Sequence, residues 1–191
     1  MLTLYVLGDR ALVSTVPELA KPVEGLVSAV ASPAELAAAS VEQKLFTLCT
    51  QHVGGNAQLV PYSGLKLYCD EETYGRIVDE HVRRVTWDDA DYFLKDNAAF
   101  AYWVDDSAVA FAGTHPVGEF SGRVGNVMAG TLEEHRRRGY GKAVLSATTG
   151  ELLRQGRVAV WGTEATNVAS IRTARFVGYQ PFATVFAVRL S

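Results

Sequence analysis

EEHRRRGYGK, residues 133–142, joins an apolar run typical of a β-strand (residues 124–131) to a run typical of an α-helix (residues 140–155). Gly139 and Gly141 allow the backbone to turn tightly there, so that several N–H groups point toward one place. The first N–H groups of a helix have no partners within it and carry the positive end of its dipole. A phosphate or pyrophosphate fits such a junction, although a capped turn with solvated basic side chains would show the same pattern. The cationic side chains of the stretch belong to Arg136, Arg137, Arg138 and Lys142.

A second pattern lies about thirty residues further along the chain. Asn167-Val-Ala-Ser170 opens a helix-like run that ends at Gly178-Tyr179. Together with Arg136-x-x-Gly139-x-Gly141, it resembles the GNAT superfamily of acyl-CoA-dependent N-acetyltransferases, from about Ala108 to the C-terminus. The resemblance implies a mixed α/β (α+β) fold, the GNAT fold, in which helices flank a partly antiparallel central sheet. It also implies acetyl-CoA as the cofactor.

The resemblance further implies which residues hold the cofactor. In the family, the first motif cradles the pyrophosphate of coenzyme A and the second lines the pantetheine arm. The central strand also separates from the next one, and its free backbone groups pair with the pantetheine amides. Arg172 or Arg175 is implied to meet the 3′-phosphate. The remaining implied cofactor-binding residues are Ala129, Thr131, Arg136, Arg137, Arg138, Gly139, Tyr140, Gly141, Lys142, Asn167 and Ser170.

Catalytic groups are harder to assign. Direct attack of an amine on a thioester needs a neutral nucleophile, a polarised carbonyl and a route for the proton. Many members of the family use a glutamate on the central strand and a tyrosine on the last helix, but here residues 124–126 hold no carboxylate and the helix position is Ala174. Glu119 and His115, just before the central strand, are the candidate bases, with a structural role as the alternative for each. Polarisation by strand N–H groups would then carry much of the rate.

Charge is divided unevenly along the 191 residues, whose net charge is −3. Residues 1–135 hold 9 Lys/Arg and 19 Asp/Glu, a balance of −10, whereas residues 136–191 hold 9 and 2, a balance of +7. We therefore expect no nucleic-acid partner, because that would need a basic face on a protein that is acidic overall. A basic half suits an anionic cofactor. An acidic half suits an amine acceptor, with a small molecule slightly favoured over a protein side chain, although two solvated faces of unlike composition would look the same.

The composition is that of a globular protein of one domain, or of one domain with an annex. No apolar run approaches the ~18 residues of a membrane helix, and the start of the chain lacks a basic leader. We expect a cytoplasmic protein without a membrane partner, and we include a homodimer among the expected assemblies. Cys49 and Cys69 are too few for a disulfide framework or a metal site and are expected to be buried free thiols.

The sequence before residue 81 is less regular. It predicts a strand over residues 2–7, short helical turns over residues 12–30, and a helix that starts after Ser32 and stops at Gly54. It also predicts two strands over residues 58–69 that turn at Ser63-Gly64, then a polar stretch with helical potential over residues 70–80. We place the boundary there, with residues 1–80 as an N-terminal annex or degenerate companion domain and residues 81–191 as the acetyltransferase domain.

The sheet expected after residue 81 has strands over residues 82–85, 100–104, 108–113 and 124–131, with a short helix capped by Thr86 between the first two. The family usually has two helices at that point, which wall the acceptor site. Here residues 1–80 are expected either to supply that wall or to form a degenerate companion domain. The predicted function is N-acetyl transfer from acetyl-CoA to an amine by direct attack. The alternative is an acyl-CoA-binding or acyl-CoA-sensing module. A nucleotide-phosphate binder is disfavoured because Ala143 stands where Ser or Thr would follow Gly141-Lys142.

Overall fold

The computed structural model of the chain describes residues 1–54, 58–85 and 99–191. These residues form nine β-strands and four α-helices, which confirms the predicted mixed α/β fold. The strands are β1 (Leu2–Leu7), β2 (Arg10–Thr15), β3 (Leu59–Cys69), β4 (Val82–Arg84), β5 (Phe100–Val104), β6 (Ser107–His115), β7 (Val124–Thr131), β8 (Val158–Glu164) and β9 (Gln180–Leu190). The helices are α1 (Pro17–Ser28), α2 (Ala39–Val53), α3 (Tyr140–Arg154) and α4 (Val168–Val177). None of these helices combines the length and apolar character that crossing a bilayer demands.

The described residues divide into two compact units. The first contains residues from Met1–Lys66, Glu164–Thr166 and Phe182–Ser191, and the second contains residues from Leu67–Thr163 and Asn167–Pro181. The first unit thus combines the start of the chain with its end. The predicted boundary between two domains, residues 1–80 and residues 81–191, is a different division of the chain, and it stays a prediction.

The first unit is an antiparallel sheet packed against two helices. β1 lies between β2 and β9, and it pairs with both in antiparallel register. Alternate residues of β1 point to opposite faces, so one face of the strand is buried with residues of α1, α2 and β9. That core contains Leu2, Leu4, Val6, Leu19, Val23, Leu36, Val41, Leu45, Cys49, Phe186 and Val188. Cys49 in this core and Cys69 are buried free thiols, as predicted.

The prediction of short helical turns over residues 12–30 is wrong, because β2 and the twelve-residue α1 occupy that stretch. Pro17 stands at the start of α1, where a missing N–H costs nothing. Pro22 lies inside the helix and removes one hydrogen bond there. Leu19 and Val23 are buried in the core on one face of α1, and this burial outweighs the lost bond.

Two further boundaries differ from the prediction. Ser32 starts a short 3₁₀ helix, Pro33–Ala37, and α2 begins only at Ala39, because Ser32 makes no capping bond to the backbone. β3 is one continuous strand with no turn at Ser63-Gly64. Gly64 instead leaves room for the ring of Tyr62, which lies where a Cβ would be.

The second unit contains a mixed sheet in the order β8-β7-β6-β5-β4. β4, β5, β6 and β7 are antiparallel neighbours, and β7 and β8 are parallel. The predicted strands are confirmed, β7 with the predicted bounds. Asp105 makes the β5–β6 turn in left-handed conformation, at φ 52°. The helix predicted to start at Thr86 lies outside the described residues.

Helix α3 crosses over from β7 to β8 and is buried nearly all round. Two of its buried polar residues, Ser146 and Thr149, are hydrogen-bonded to neighbouring segments. The Ser146 hydroxyl accepts from Ile77 N–H at 2.8 Å, and Ser146 O accepts from the Tyr74 hydroxyl at 2.9 Å. The Thr149 and Tyr179 hydroxyls are 2.8 Å apart. The predicted helical tendency of residues 70–80 is therefore wrong, since this stretch is an irregular strap whose bonds go to α3.

The end of α4 confirms its predicted stop at Gly178, which has φ 106°. A Cβ at this position would collide with the carbonyl oxygen of Thr73. Gly75 N–H also donates to Val177 O at 2.8 Å. The close approach of the strap to the end of α4 therefore requires a glycine.

An ionic cluster joins α3 to β4. Glu151 accepts hydrogen bonds from Arg154 at 2.7 Å, from Gln155 at 2.9 Å and from Arg84 at 2.9 Å. The bond from Arg154, supported by Gln155 and Arg84, lowers the pKa of Glu151 to about 2.

We predict that Glu151→Gln lowers the free energy of unfolding at pH 7 by about 1 kcal/mol, because the arginine partners are largely exposed and solvent screens the pair. A depressed carboxyl pKa stabilises the fold above the ordinary value of 4.5 and loses that effect as the pH falls toward 2. Denaturant unfolding at pH 7 and pH 2.5 measures the difference. The matched control is Glu24→Gln at an exposed position of α1, expected to change stability by less than about 0.5 kcal/mol. An equal difference from wild type at both pH values would contradict the prediction.

Candidate cofactor-binding site

A cavity of about 640 Å³ lies in the second unit, within the size range of small-molecule sites. It is lined by the carboxyl-terminal parts of β7 and β8, the loop before α3, and the first turns of α3 and α4. Of the predicted cofactor-binding residues, Arg138 and the two candidates for the 3′-phosphate, Arg172 and Arg175, do not line it, whereas all of the others do. The lining residues are Ala129, Gly130, Thr131, His135, Arg136, Arg137, Gly139, Tyr140, Gly141, Lys142, Trp161, Asn167, Ala169, Ser170 and Thr173.

The loop before α3 has an unusual backbone. Arg137 has φ 63° and Gly139 has φ 91°, both in the left-handed region. For a residue with a Cβ this costs roughly 1 kcal/mol or more, a strain that is commonly stored at ligand sites. Left-handed residues in a short loop turn backbone N–H groups toward one side, which favours an anion-binding concavity.

The start of α3 adds to this concavity. Gly139 is the N-cap, no side chain caps the helix, and its first turn holds no acidic residue. The first N–H groups of α3 therefore face the cavity with the positive end of the dipole behind them. A Cβ at Gly141 would lie 3.1 Å from the Thr131 hydroxyl oxygen, so a glycine lets the loop approach β7 closely.

The strands β7 and β8 separate beside this loop. They pair from Val124–Val158 as far as Val127–Trp161, although both strands continue further. Leu132 N–H donates to Val109 O at 2.9 Å. Because hydrogen-bonded and non-hydrogen-bonded positions alternate in antiparallel strands, Ala129 and Thr131 direct their backbone groups away from β6 and toward the gap. These are the two positions that the sequence predicted.

The opposite wall is the first turn of α4. The Asn167 side chain accepts from Ser170 N–H at 3.1 Å, so Asn167 is a helix cap as well as a lining residue. The Trp161 indole N–H donates to the Ser170 hydroxyl at 3.0 Å. Sequence reasoning missed Trp161, because a buried strand position gives no sign of facing a cavity. It also missed Gly130, His135, Ala169 and Thr173, although His135 directly precedes the motif.

The cations of the loop are held in different ways. Arg136 is 62% exposed at its side chain and donates through Nε to Thr131 O at 3.3 Å. The Lys142 ammonium lies 3.8 Å from the centre of the Phe176 ring, a cation–π contact that fixes it beside the cavity. Arg172 and Arg175 are exposed on α4 and are not among the lining residues.

Tyr140, the first residue of α3, belongs to a stack of rings. The ring centroids of Tyr140 and Tyr102 are 4.1 Å apart, and those of Tyr102 and His81 are 5.4 Å apart. The interplanar angle is 18° in both pairs. His81 Nδ1 is 3.0 Å from a carboxylate oxygen of Asp79. Burial, and then the nearby Asp79, raise the pKa of Tyr102, so this hydroxyl stays protonated. The stack fixes the Tyr140 ring and with it the start of α3.

Neither candidate base lines the cavity. His115 pairs with Asn126 of β7, one residue before Val127, where the strands begin to separate. Side chains alternate along a strand, so His115 and Asn126 lie on the face of β7 opposite to Ala129, which packs with α3. Glu119 is exposed in the 3₁₀ helix Gly118–Gly122. Ala174, where the family often has a tyrosine, is fully buried.

The donor set of the cavity suits an anion with an amide-bearing arm. Unpaired helix N–H groups and cations meet at the loop, and strand amides face the gap. The His135 Nδ1 atom is buried and has no hydrogen-bond partner among the residues that the structure describes. Within the same residues, no group of three or more His, Cys, Asp or Glu side chains could hold a metal ion. The site therefore fits coenzyme A by its chemistry.

Several solved structures share the fold. They include a GNAT-family protein from Novosphingobium aromaticivorans (16% identity, TM-score 0.58), a GNAT-family acetyltransferase from Colwellia psychrerythraea (15%, 0.55) and a GCN5-related N-acetyltransferase from Kribbella flavida (19%, 0.53). The matches cover 69%, 78% and 75% of this chain and 66%, 62% and 62% of those chains. At these identities the likeness concerns the fold, and this chain spans less than two thirds of their lengths.

No curated protein matches the chain by sequence. The Acetyltransferase (GNAT) family does match it, over residues 65–179. This segment holds the separated strands, the loop, α3 and α4, and it is more than half of the chain. The chain belongs to the GNAT family of acetyltransferases.

Proposed function

We propose that this protein is an N-acetyltransferase that transfers the acetyl group of acetyl-CoA to an amine acceptor by direct attack. The observation that carries the proposal is one cavity in which an uncapped helix start and basic side chains adjoin a strand whose backbone groups face the gap between β7 and β8. When bound, acetyl-CoA would supply an activated acyl group as a thioester.

Different residues along the cavity would bind different parts of acetyl-CoA. The N–H groups at Gly139–Gly141, with Arg136 and Arg137, would bind the pyrophosphate. Ala129 and Thr131 would hold the pantetheine amides through their backbones, and Asn167 and Ser170 would line the other side. Backbone N–H groups in the gap between β7 and β8 would stabilise charge that develops on the thioester oxygen. Positioning of this kind is enough for much of the rate when the acceptor arrives as a neutral amine.

The acceptor is proposed to be an amine, with a small molecule slightly favoured over a protein side chain, because residues 1–135 carry the acidic excess. The proposal includes a cytoplasmic location, with residues 1–80 as an N-terminal annex or degenerate companion domain. A catalytically weak acyl-CoA-binding or acyl-CoA-sensing module is the second candidate. It is favoured by the lack of a carboxylate at residues 124–126 and by the buried Ala174. Release of free thiol from acetyl-CoA across a panel of amines separates the two, because a sensor would bind acetyl-CoA without releasing thiol.

We predict that Gly139→Ala weakens binding of coenzyme A at least tenfold while the protein remains folded. Alanine disfavours φ 91°, so the loop must relax and its N–H groups leave the concavity. Calorimetric titration measures the affinity, and thermal unfolding measures the stability.

Gly8→Ala is the matched control. Gly8 also has positive φ, 59°, and a Cβ would meet no atom within 4 Å at either glycine. Both variants should lose about 1 kcal/mol of stability, but Gly8, in the β1–β2 turn, should not affect coenzyme A. Equal affinities in folded Gly139→Ala and wild type would remove the loop from the cofactor site.

We predict that the affinity for coenzyme A falls as the salt concentration rises, because exposed cations and phosphates attract each other through screening solvent. Arg136→Gln and Arg137→Gln should each lower the affinity at low salt and flatten its salt dependence. Arg10→Gln, in the first unit, serves as the control. An affinity that stays constant from 20 mM to 500 mM salt would mean that the basic side chains are only a solvated surface.

We predict that one of the variants His115→Ala and Glu119→Gln lowers kcat/KM for an amine acceptor by about 10²-fold or more, the usual effect of losing a general base. Its pH profile should lose the limb that reports the base, while affinity for coenzyme A stays unchanged. Full rates in both variants across pH would exclude both residues, and the amine would then have to arrive deprotonated.

A further inference from the structure

Trp161 lines the cavity at the point where β7 and β8 stop pairing. It is 6% exposed and forms, with Val127, the last paired position of β7 and β8 before the strands separate. Its indole N–H donates to Ser170 of α4, and its ring meets Tyr179 edge-on, with centroids 6.3 Å apart. Tyr179 is itself buried and bonded to Thr149 of α3. The indole is therefore held directly by α4 and, through Tyr179, indirectly by α3.

The cavity has a direction. Its mouth is formed by exposed residues of the loop, such as Arg136 and Gly139. Ala129 lies further in, and the side chains become buried where the strands rejoin at Val127 and Trp161. An extended ligand whose anionic end sits at the loop must therefore point its other end toward Trp161.

We propose that the Trp161 indole closes the inner end of the cavity and restricts the protein to short acyl groups. The inference rests on the proposed function, and it adds an acyl-length limit set by one side chain. A longer acyl chain would have to displace a ring that is packed against Tyr179 and bonded to Ser170. Close-packed interiors resist such displacement. Discrimination between neighbouring chain lengths in apolar pockets is roughly 10–200-fold.

The decisive measurement is the affinity for free coenzyme A, acetyl-CoA and hexanoyl-CoA, determined by calorimetry on the full chain. In wild type, hexanoyl-CoA should bind at least tenfold more weakly than acetyl-CoA. In Trp161→Ala this ratio should fall to about threefold or less, while affinity for free coenzyme A, which has no acyl group, should change little.

Two further variants keep the test informative if Trp161→Ala fails to fold. Trp161→Leu keeps an apolar side chain at the buried position but shortens it, and should also lower the selectivity ratio. Ser170→Ala keeps the Trp161 ring and removes only the hydroxyl that accepts its hydrogen bond. It should therefore lower the selectivity ratio less than Trp161→Leu does. A larger side chain, as in Ser170→Phe, is not used because it would itself fill part of the cavity. Val158→Ala is the matched control, because Val158 begins the same strand and is partly exposed outside the cavity. Its ratio should equal that of wild type.

Fluorescence provides an independent readout. Binding of acetyl-CoA should change the tryptophan emission of wild type, and that change should be lost in Trp161→Leu, since the acyl end contacts this ring.

The outcomes separate the two proposals. Absence of binding by any coenzyme A species in wild type would overturn the proposed function. Binding of acetyl-CoA with the same length selectivity in wild type and in the folded Trp161 variants would overturn the inference and leave the proposed function standing.

Discussion

The separation of β7 from β8 after Val127 and Trp161 is the constraint on which the site depends. Two parallel strands pair at four positions and then part, although neither strand ends there. The backbone groups of Ala129 and Thr131 are thereby turned to a gap. Unpaired buried amides are costly, so a strand edge of this kind is stable only beside solvent or a ligand with matching groups. The loop, α3 and α4 surround that gap, and together with the unpaired parts of β7 and β8 they form the cavity.

Helix α3 keeps the cavity in shape. Its first turn presents N–H groups to the cavity, and its body is buried, with hydroxyl groups tied to segments far along the chain: Ser146 to the strap at Tyr74 and Ile77, and Thr149 to Tyr179. The ring stack through Tyr140 fixes the first turn from the other side. A preorganised anion site loses less entropy on binding than a mobile loop would. The buried polar bonds of α3 thus contribute to the chemistry at its end.

Outside the strap of residues 70–80, the sequence predicted the second unit well, because its strands and helices carry local signals. Glycines at positive φ mark the loop before α3 and the end of α4, and apolar runs of the right length mark β6, β7 and β8. It predicted the first unit poorly. Pro22 predicts a break in a helix, yet the helix continues because burial of Leu19 and Val23 outweighs the lost hydrogen bond. Gly64 reads as a turn, yet it serves to make room for the Tyr62 ring. Trp161 could not be identified from the sequence because its role also depends on distant residues. The register of β7 and β8 decides which strand residue faces the cavity, and no local pattern indicates where that pairing stops.

The register also bears on how an acceptor would reach a bound thioester. Ala129 and Thr131 share the α3 side of β7, whereas Asn126 and its partner His115 lie on the other face. A base at His115 could take a proton from an amine only if the amine approached through the gap from the face opposite to α3, just where the strands begin to part. With the proposed function, that approach would place the acceptor and the cofactor on different faces of one sheet, so that neither would displace the other. Ala174 on α4 is fully buried and carries no group that could transfer a proton.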